Sequence, residues 1–169
     1  GGTPTLVVAS EKRRTKTASS LELTTGDGAA AVVVGPGEGV ATLLSTASRT
    51  ADFIDHYRSD DQPFDYQWEE RWIRDEGYMK LVPPVVAEAL SKATLTGADI
   101  THFCMPCTLP RVAASIAKAA GIPDTAVRDN LHAVCGEAGA AHSLIMLAHT
   151  LEQAKPGDRV MVIGFGQGA

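Results

Sequence analysis

The 169-residue sequence has no apolar run approaching the roughly 20 residues that a bilayer-spanning helix needs, and its first residues show no signal-peptide pattern. No membrane role is expected, and the cytoplasm is the default compartment. Cysteine is scarce. Three residues, an odd number without a spaced framework, argue against a disulfide-stapled scaffold and fit a reduced setting. Basic residues are also too few to dominate: 15 Lys and Arg against 20 Asp and Glu leave a formal charge of −5, so no global attraction to nucleic acid is expected. Low-complexity tracts and short-period repeats are missing. What remains is a chain with 44% hydrophobic residues, enough for one domain with a real core.

Taken in order, residues 5–10 (TLVVAS) predict a buried strand, Gly26-Asp27-Gly28 a turn, and residues 29–35 (AAAVVVG) a second apolar strand. Pro36-Gly37-Glu38-Gly39 reads as a hairpin-like connection to a third strand over 40–48. Three strands with no helix between them predict an antiparallel part of a sheet. The one basic cluster, Lys12-Arg13-Arg14-Thr15-Lys16, is either a solvated strand end or an anion or coenzyme-phosphate site. Residues 50–78 hold both tryptophans, all three tyrosines and many charges, too aromatic for a linker. They predict an ordered excursion that packs on the body or lines a substrate passage. A helix follows over 79–94 with Pro83-Pro84 in its first turns, then a strand over 100–105, a helix over 109–120 and a connector over 124–133. Alternating helix and strand is the pattern of a layered α/β domain.

The closing stretch, residues 134–168, organises the rest. Gly136 and Glu137 open a helix whose apolar face includes Leu144, Met146, Leu147 and Leu151. Lys155-Pro156-Gly157-Asp158 stops it. Residues 159–163 form a short apolar strand, and Gly164-Phe165-Gly166-Gln167-Gly168 lies at its carboxyl end, where open α/β sheets tend to place ligands.

Three constellations could carry chemistry. Cys104-Met105-Pro106-Cys107 sits at a strand-to-helix junction, where a helix dipole lowers a thiol's pKa. It reads as small residues at a tight corner, a dithiol pair, a zinc site completed by His132 and Cys135, or a substrate-facing thiol. Glu137 reads as a helix cap or a pocket carboxylate able to act as a general base. His142, among small and apolar neighbours, reads as a packing histidine. The glycine loop suits close backbone approach to a ligand, although its glycines do not precede a helix as a dinucleotide fingerprint requires.

GDGAAAVVVG (26–35), FCMPCTLPRVAASIAKAAGI (103–122) and CGEAGAAHSLIMLAHTLEQAKPGDRVMVIGFGQG (135–168), in that order, resemble the thiolase superfamily of condensing enzymes. The nearest groups are the ketoacyl-carrier-protein synthase III and hydroxymethylglutaryl-CoA synthase families, and residues 50–78 look like an insertion of the latter branch. The resemblance implies a thiolase-like layered αβαβα fold of two similar halves. Residues 1–48 would end the first half and begin the second, 49–78 would be the insertion, and 79–169 the remainder of the second half, truncated at the glycine loop. The nucleophilic cysteine of the family falls upstream of Gly1, so the chain is expected to be a fragment, inactive by itself.

The resemblance further implies an acyl-CoA or acyl-carrier-protein substrate, no cofactor beyond the thioester itself, no metal, a homodimer, and an OB-fold/zinc-ribbon partner such as accompanies some relatives. Family histidine and asparagine side chains would hydrogen-bond the thioester oxygen, and here the pattern departs. Aligning prolines puts Cys104 at the histidine, whereas an ungapped count back from Gly121 puts Pro106 there and Arg111 at a coenzyme-contacting position. Glu137 replaces the asparagine. An ionised Glu cannot donate a hydrogen bond and a thiol donates poorly, so ordinary decarboxylative condensation is not expected. The expected catalytic residues are Glu137, Cys104 and Cys107, and the expected substrate-contacting residues are Arg111, Gly164, Phe165 and Gly166. The expected reaction is condensation, cleavage or transfer at a carbon–carbon bond next to a thioester. The alternatives are a non-catalytic acyl-CoA-binding or partner subunit, and a thiol or zinc protein built on Cys104, Cys107 and Cys135.

Overall fold

The computed structural model describes residues 2–166 of the chain. Gln167 and Gly168 of the expected glycine loop lie outside the described residues.

Two strands, β1 (Thr5–Glu11) and β2 (Gly28–Val34), form an antiparallel ribbon with Thr5 opposite Val34 and Glu11 opposite Gly28. Both were expected, but not their exposure: Leu6, Val8 and Val33 are each more than half exposed. Only one side of the ribbon is covered, and β2 alternates accordingly, with Gly28, Ala30 and Val32 turned inward. The covering element is helix α5 (His142–Leu151), packed between this ribbon and a second, parallel pair. That pair comprises β5 (His102–Cys104) and β6 (Val160–Val162), in register from His102–Val160 to Cys104–Val162. Sheet, helix and sheet are therefore stacked in layers, as the α/β pattern predicted.

The third strand expected over 40–48 does not form. This segment is tied to helix α2 (Met79–Ala93) by Ser45 Oγ donating to the Ala89 carbonyl (2.8 Å) and Lys92 Nζ donating to the Thr46 carbonyl (3.1 Å). Its β-branched composition favours a strand, but no neighbouring strand pairs with it among the described residues. The aromatic excursion is ordered, as expected. It makes a minimal hairpin, β3 (His56–Tyr57) with β4 (Tyr66–Gln67), then one turn of helix α1 (Glu70–Trp72) capped by Glu69 accepting from the Trp72 amide.

From α1 the chain continues without a break through a π-helical turn, Ile73–Tyr78, into α2. Pro83 and Pro84 consequently lie well inside a long helical run rather than near its start. Neither can donate a backbone hydrogen bond, so the run must tolerate two missing rungs. Burial of Val82, Val86 and Leu90 against helix α3 (Val112–Ala119) supplies that tolerance. The apolar core collects Ile73, Val86, Ile100, Phe103, Met105, Ile116 and Ile122. No helix among the described residues is long and apolar enough to cross a membrane.

Candidate active site

Glu137 is fixed by a close crossing of two backbones. The Glu137 amide donates to the Thr24 carbonyl (2.7 Å) and the Gly26 amide donates to the Glu137 carbonyl (2.9 Å). A Cβ on Gly26 would lie 1.8 Å from the Cys135 carbonyl oxygen, and Gly136 has φ +69° with its own Cβ position 2.7 Å from the Gly26 nitrogen. Only glycine fits at both places. Gly26 is thus more than a turn residue: it lets the segment after β1 seat the carboxylate. The expectation that Glu137 opens a helix is corrected here. Between Glu137 and α5 lies a 3-10 turn, Gly139–Ala141, and Glu137 sits in an extended bridge to Thr25. A small capping element persists, since the Gly139 amide donates to Glu137 Oε1 (2.7 Å).

The other carboxylate oxygen faces Arg13, with Nε 3.0 Å from Oε2 and side-chain exposures of 9% and 18%. The Nε–H is not well aimed at the oxygen, because Arg13 Nε finds no properly angled hydrogen-bond partner. The contact is therefore an ion pair held by charge. Of the two readings of the basic cluster, neither survives for Arg13, which is neither solvated nor an open anion site.

A cavity of about 100 Å³ opens beside this pair. Glu137, Cys107, Phe165 and Gly166 line it as expected, together with Arg13, Tyr78, His56 and Asp55. His56 Nδ1 lies 2.9 Å from Asp55 Oδ2. Tyr78 is 8% exposed, lies against Phe165 with ring centroids 4.0 Å apart and planes tilted by 30°, and neighbours Cys107. Burial raises the Tyr78 phenol well above its ordinary range, with the charges of Cys107, Asp55 and Glu137 adding to it. The hydroxyl is held protonated. Rings continue outward through Phe53, 5.8 Å from Phe165 and stacked on Trp72 at 4.4 Å, to Trp68 and Tyr57.

Cys104, Arg111 and Gly164 do not line the cavity. Cys104 is fully buried in β5 on the far side, its sulfur 3.1 Å from Thr150 Oγ1. Cys104 faces α5, and the cavity is lined instead by residues 106–109, which follow the strand. Pro106 lines the cavity where Cys104 does not, in keeping with the ungapped register. Arg111 is exposed, in a left-handed conformation (φ +65°) just before α3.

The two thiols are not activated as the sequence predicted. Helix α3 starts only at Val112, so no helix end faces either sulfur. Burial instead raises both, Cys104 above its ordinary value and Cys107 to about 11. All three cysteines are free. In the short helix α4 (His132–Cys135), Cys135 Sγ contacts the carbonyls of Leu131 and Gly136, and the His132 ring meets His142 edge-on at 4.7 Å. No group of three or more His, Cys, Asp or Glu side chains among the described residues is arranged to hold a metal ion, which leaves the zinc reading without a centre. His142 is the packing histidine expected: fully buried, its Nδ1 accepts from the Ala138 amide (3.0 Å) and its Nε2–H donates to the Asn130 carbonyl (2.6 Å).

Sequence reasoning missed Tyr78, Asp55 and His56. Their signal was present only as the aromatic, charged composition of residues 50–78.

A family model described as the C-terminal domain of 3-oxoacyl-[acyl-carrier-protein] synthase III matches residues 90–169. Hydroxymethylglutaryl-CoA synthase of Aeropyrum pernix is 29% identical over 167 residues, covering 98% of this chain and 46% of the relative. The Methanosarcina mazei enzyme is 27% identical over 169 residues, covering 97% and 48%. Among solved structures, 3-oxoacyl-(acyl carrier protein) synthase III from Pseudomonas aeruginosa PAO1 superposes with a TM-score of 0.77 at 24% identity, covering 95% of this chain and 53% of that one. An HMG-CoA synthase complexed with CoA superposes with a TM-score of 0.75 at 20% identity, covering 99% and 47%. The chain spans about half the length of the curated relatives it matches. Its fold is the thiolase-like layered α/β arrangement, in the part that corresponds to the C-terminal portion of these proteins.

Proposed function

We propose, from the likeness to the C-terminal portion of synthase III-like and hydroxymethylglutaryl-CoA synthase-like condensing enzymes of the thiolase superfamily, that the full-length protein makes or breaks a carbon–carbon bond next to an acyl thioester. The observation that carries the proposal is the cavity in which Glu137 and Arg13 face Tyr78 and Cys107. The thioester is carried by coenzyme A or an acyl carrier protein, and no other cofactor is required. Residues 1–48 belong to the end of the first half and the start of the second, 49–78 to the insertion and 79–169 to the rest of the second half. The exposed apolar ribbon of Leu6, Val8 and Val33 is the face that the remainder of the enzyme covers. A homodimer, an OB-fold/zinc-ribbon partner and a cytoplasmic location complete the reading.

In this scheme Glu137 is the base. Its carboxylate takes a proton from the carbon or oxygen next to the thioester, and Arg13 holds it in place. Cys104 and Cys107, both buried and protonated at neutral pH, are poor attacking groups. By the family resemblance the acyl-accepting thiol is another cysteine, upstream of Gly1 in the full-length protein. Arg111, Gly164, Phe165 and Gly166 are assigned to the substrate or its carrier. Phe165 and Gly166 do so from the cavity wall, and exposed Arg111 from outside it.

A second reading, a non-catalytic acyl-CoA-binding subunit, is favoured by one observation: Glu137 is already engaged by Arg13 and the Gly139 amide. Incubating the full-length protein with a panel of acyl-CoAs and following products by mass spectrometry separates the two. Carbon–carbon bond formation or cleavage that falls at least about a hundredfold in Glu137→Gln supports the enzyme. Tight acyl-CoA binding without turnover supports the binding subunit.

A further inference from the structure

By the family resemblance, the residues that would hydrogen-bond the thioester oxygen are replaced here by a carboxylate that cannot donate and a thiol that donates poorly, and Tyr78, a neutral donor, stands in the same cavity as Glu137. We propose that Tyr78 supplies the hydrogen bond to the substrate's thioester oxygen, stabilising the negative charge that gathers there during reaction. The inference rests on the acyl-thioester reading above.

Three independent features place Tyr78 in that role. First, Tyr78 lines the cavity shared with Glu137 and Cys107; there Arg13 is paired with Glu137, His56 is turned to Asp55, and the Thr24, Thr25 and Ser143 hydroxyls already donate to backbone carbonyls. Second, the Cys107 thiol beside it is a weak acceptor, so a carbonyl oxygen entering the cavity offers the hydroxyl a better hydrogen bond. Third, Tyr78 ends the π-helical turn Ile73–Tyr78, a local widening of the helix that recurs at functional sites. The turn is built for the ring. Gly77 carries no side chain because a Cβ there would lie 2.6 Å from the Phe53 ring and 3.0 Å from Phe165, the ring that packs against Tyr78.

The chemistry needs no covalent step at Tyr78. As a nucleophile adds to the thioester, or as an enolate forms, the electron pair moves onto the carbonyl oxygen. The phenolic O–H donates to that oxygen and keeps its proton throughout. Glu137 cannot take this part, since its carboxylate has no proton to offer.

Tyr78→Phe in the full-length protein keeps the ring and removes only the donor. Binding of acetyl-CoA labelled with carbon-13 at the carbonyl is measured first by calorimetry, then the carbonyl stretch of the bound probe by difference infrared spectroscopy. The wild type should lower the stretch relative to free acetyl-CoA, and Tyr78→Phe should return it toward the free value with affinity changed less than about threefold. With a turned-over substrate, kcat should fall about a hundred- to a thousandfold while KM holds. An unchanged stretch, or a loss confined to KM, overturns the role of Tyr78 while the acyl-thioester reading stands. Failure of the wild type to bind any acyl-CoA or acyl carrier protein overturns that reading, and this inference with it.

Discussion

If Cys107 is a buried, protonated thiol, its alkylation rate carries a quantitative signature. Its pKa is raised from 9.0 to about 11. At neutral pH, two units reduce the thiolate population about a hundredfold. A more basic thiolate is intrinsically more nucleophilic, with a Brønsted slope of about 0.4–0.5, which recovers about tenfold. The net chemical expectation is a rate about tenfold below that of an ordinary thiol, before the cover over a side chain only 5% exposed slows it further. The measurement is iodoacetamide labelling of the native full-length protein, with Cys107 followed by quantitative peptide mass spectrometry from pH 7 to pH 10.5. Labelling should be at least about tenfold slower than for a model thiol and should climb log-linearly with pH up to the highest point. A rate at pH 7.5 equal to or above the model thiol, or a plateau below pH 9, would refute the assignment of Cys107 as a non-attacking residue.

Further outcomes follow from the same geometry. Gly77→Ala should cost about 1–3 kcal/mol in unfolding by overpacking against Phe53 and Phe165, and should quench differently the fluorescence of Trp72, which stacks on Phe53. Arg13→Met and Glu137→Gln should each destabilise the protein, and the double variant by about 2 kcal/mol less than their sum; additivity within about 0.5 kcal/mol would remove the ion pair from the account. For Cys107 the folded pKa lies above the unfolded one, so its stabilising share is intact below pH 9 and disappears as pH rises through about 11. Thermal midpoints should therefore drop over that interval, and less so in Cys107→Ala. His132 is displaced the other way, from 6.5 to about 4, by burial and by the neighbouring His142. Its share of stability is present above pH 6.5 and is lost as pH falls toward 4, a loss that His132→Gln should blunt in acid titrations.

The sheet–helix–sheet order was legible because periodicity reports it directly: α5 and β6 follow from the apolar face of residues 144–151 and the short run 159–163. The segment 40–48 was misread because β-branched composition specifies an extended backbone, not a partner. Glu137 was found through its motif, but its setting was not. The backbone crossing at Gly26 and Gly136 is a tertiary contact with no local signature in either segment. The cysteine pair was drawn to the wrong electrostatics by assuming that helix α3 starts beside it, when four residues separate Cys107 from Val112 and burial decides. Tyr78 was invisible for a similar reason: a tyrosine between a glycine and a methionine says nothing of a π-helical turn that ends at the cavity wall.

The central claim is that this chain supplies the base and the oxyanion donor for thioester chemistry while the acyl group is carried elsewhere. Site-resolved mass spectrometry of the full-length protein, quenched in acid after mixing with an acyl-CoA that it turns over, tests this most directly. The account predicts one acyl-thioester adduct on a cysteine outside residues 1–169, still formed in Cys104→Ala and Cys107→Ala variants. An adduct on Cys107, lost in Cys107→Ala together with turnover, would contradict it.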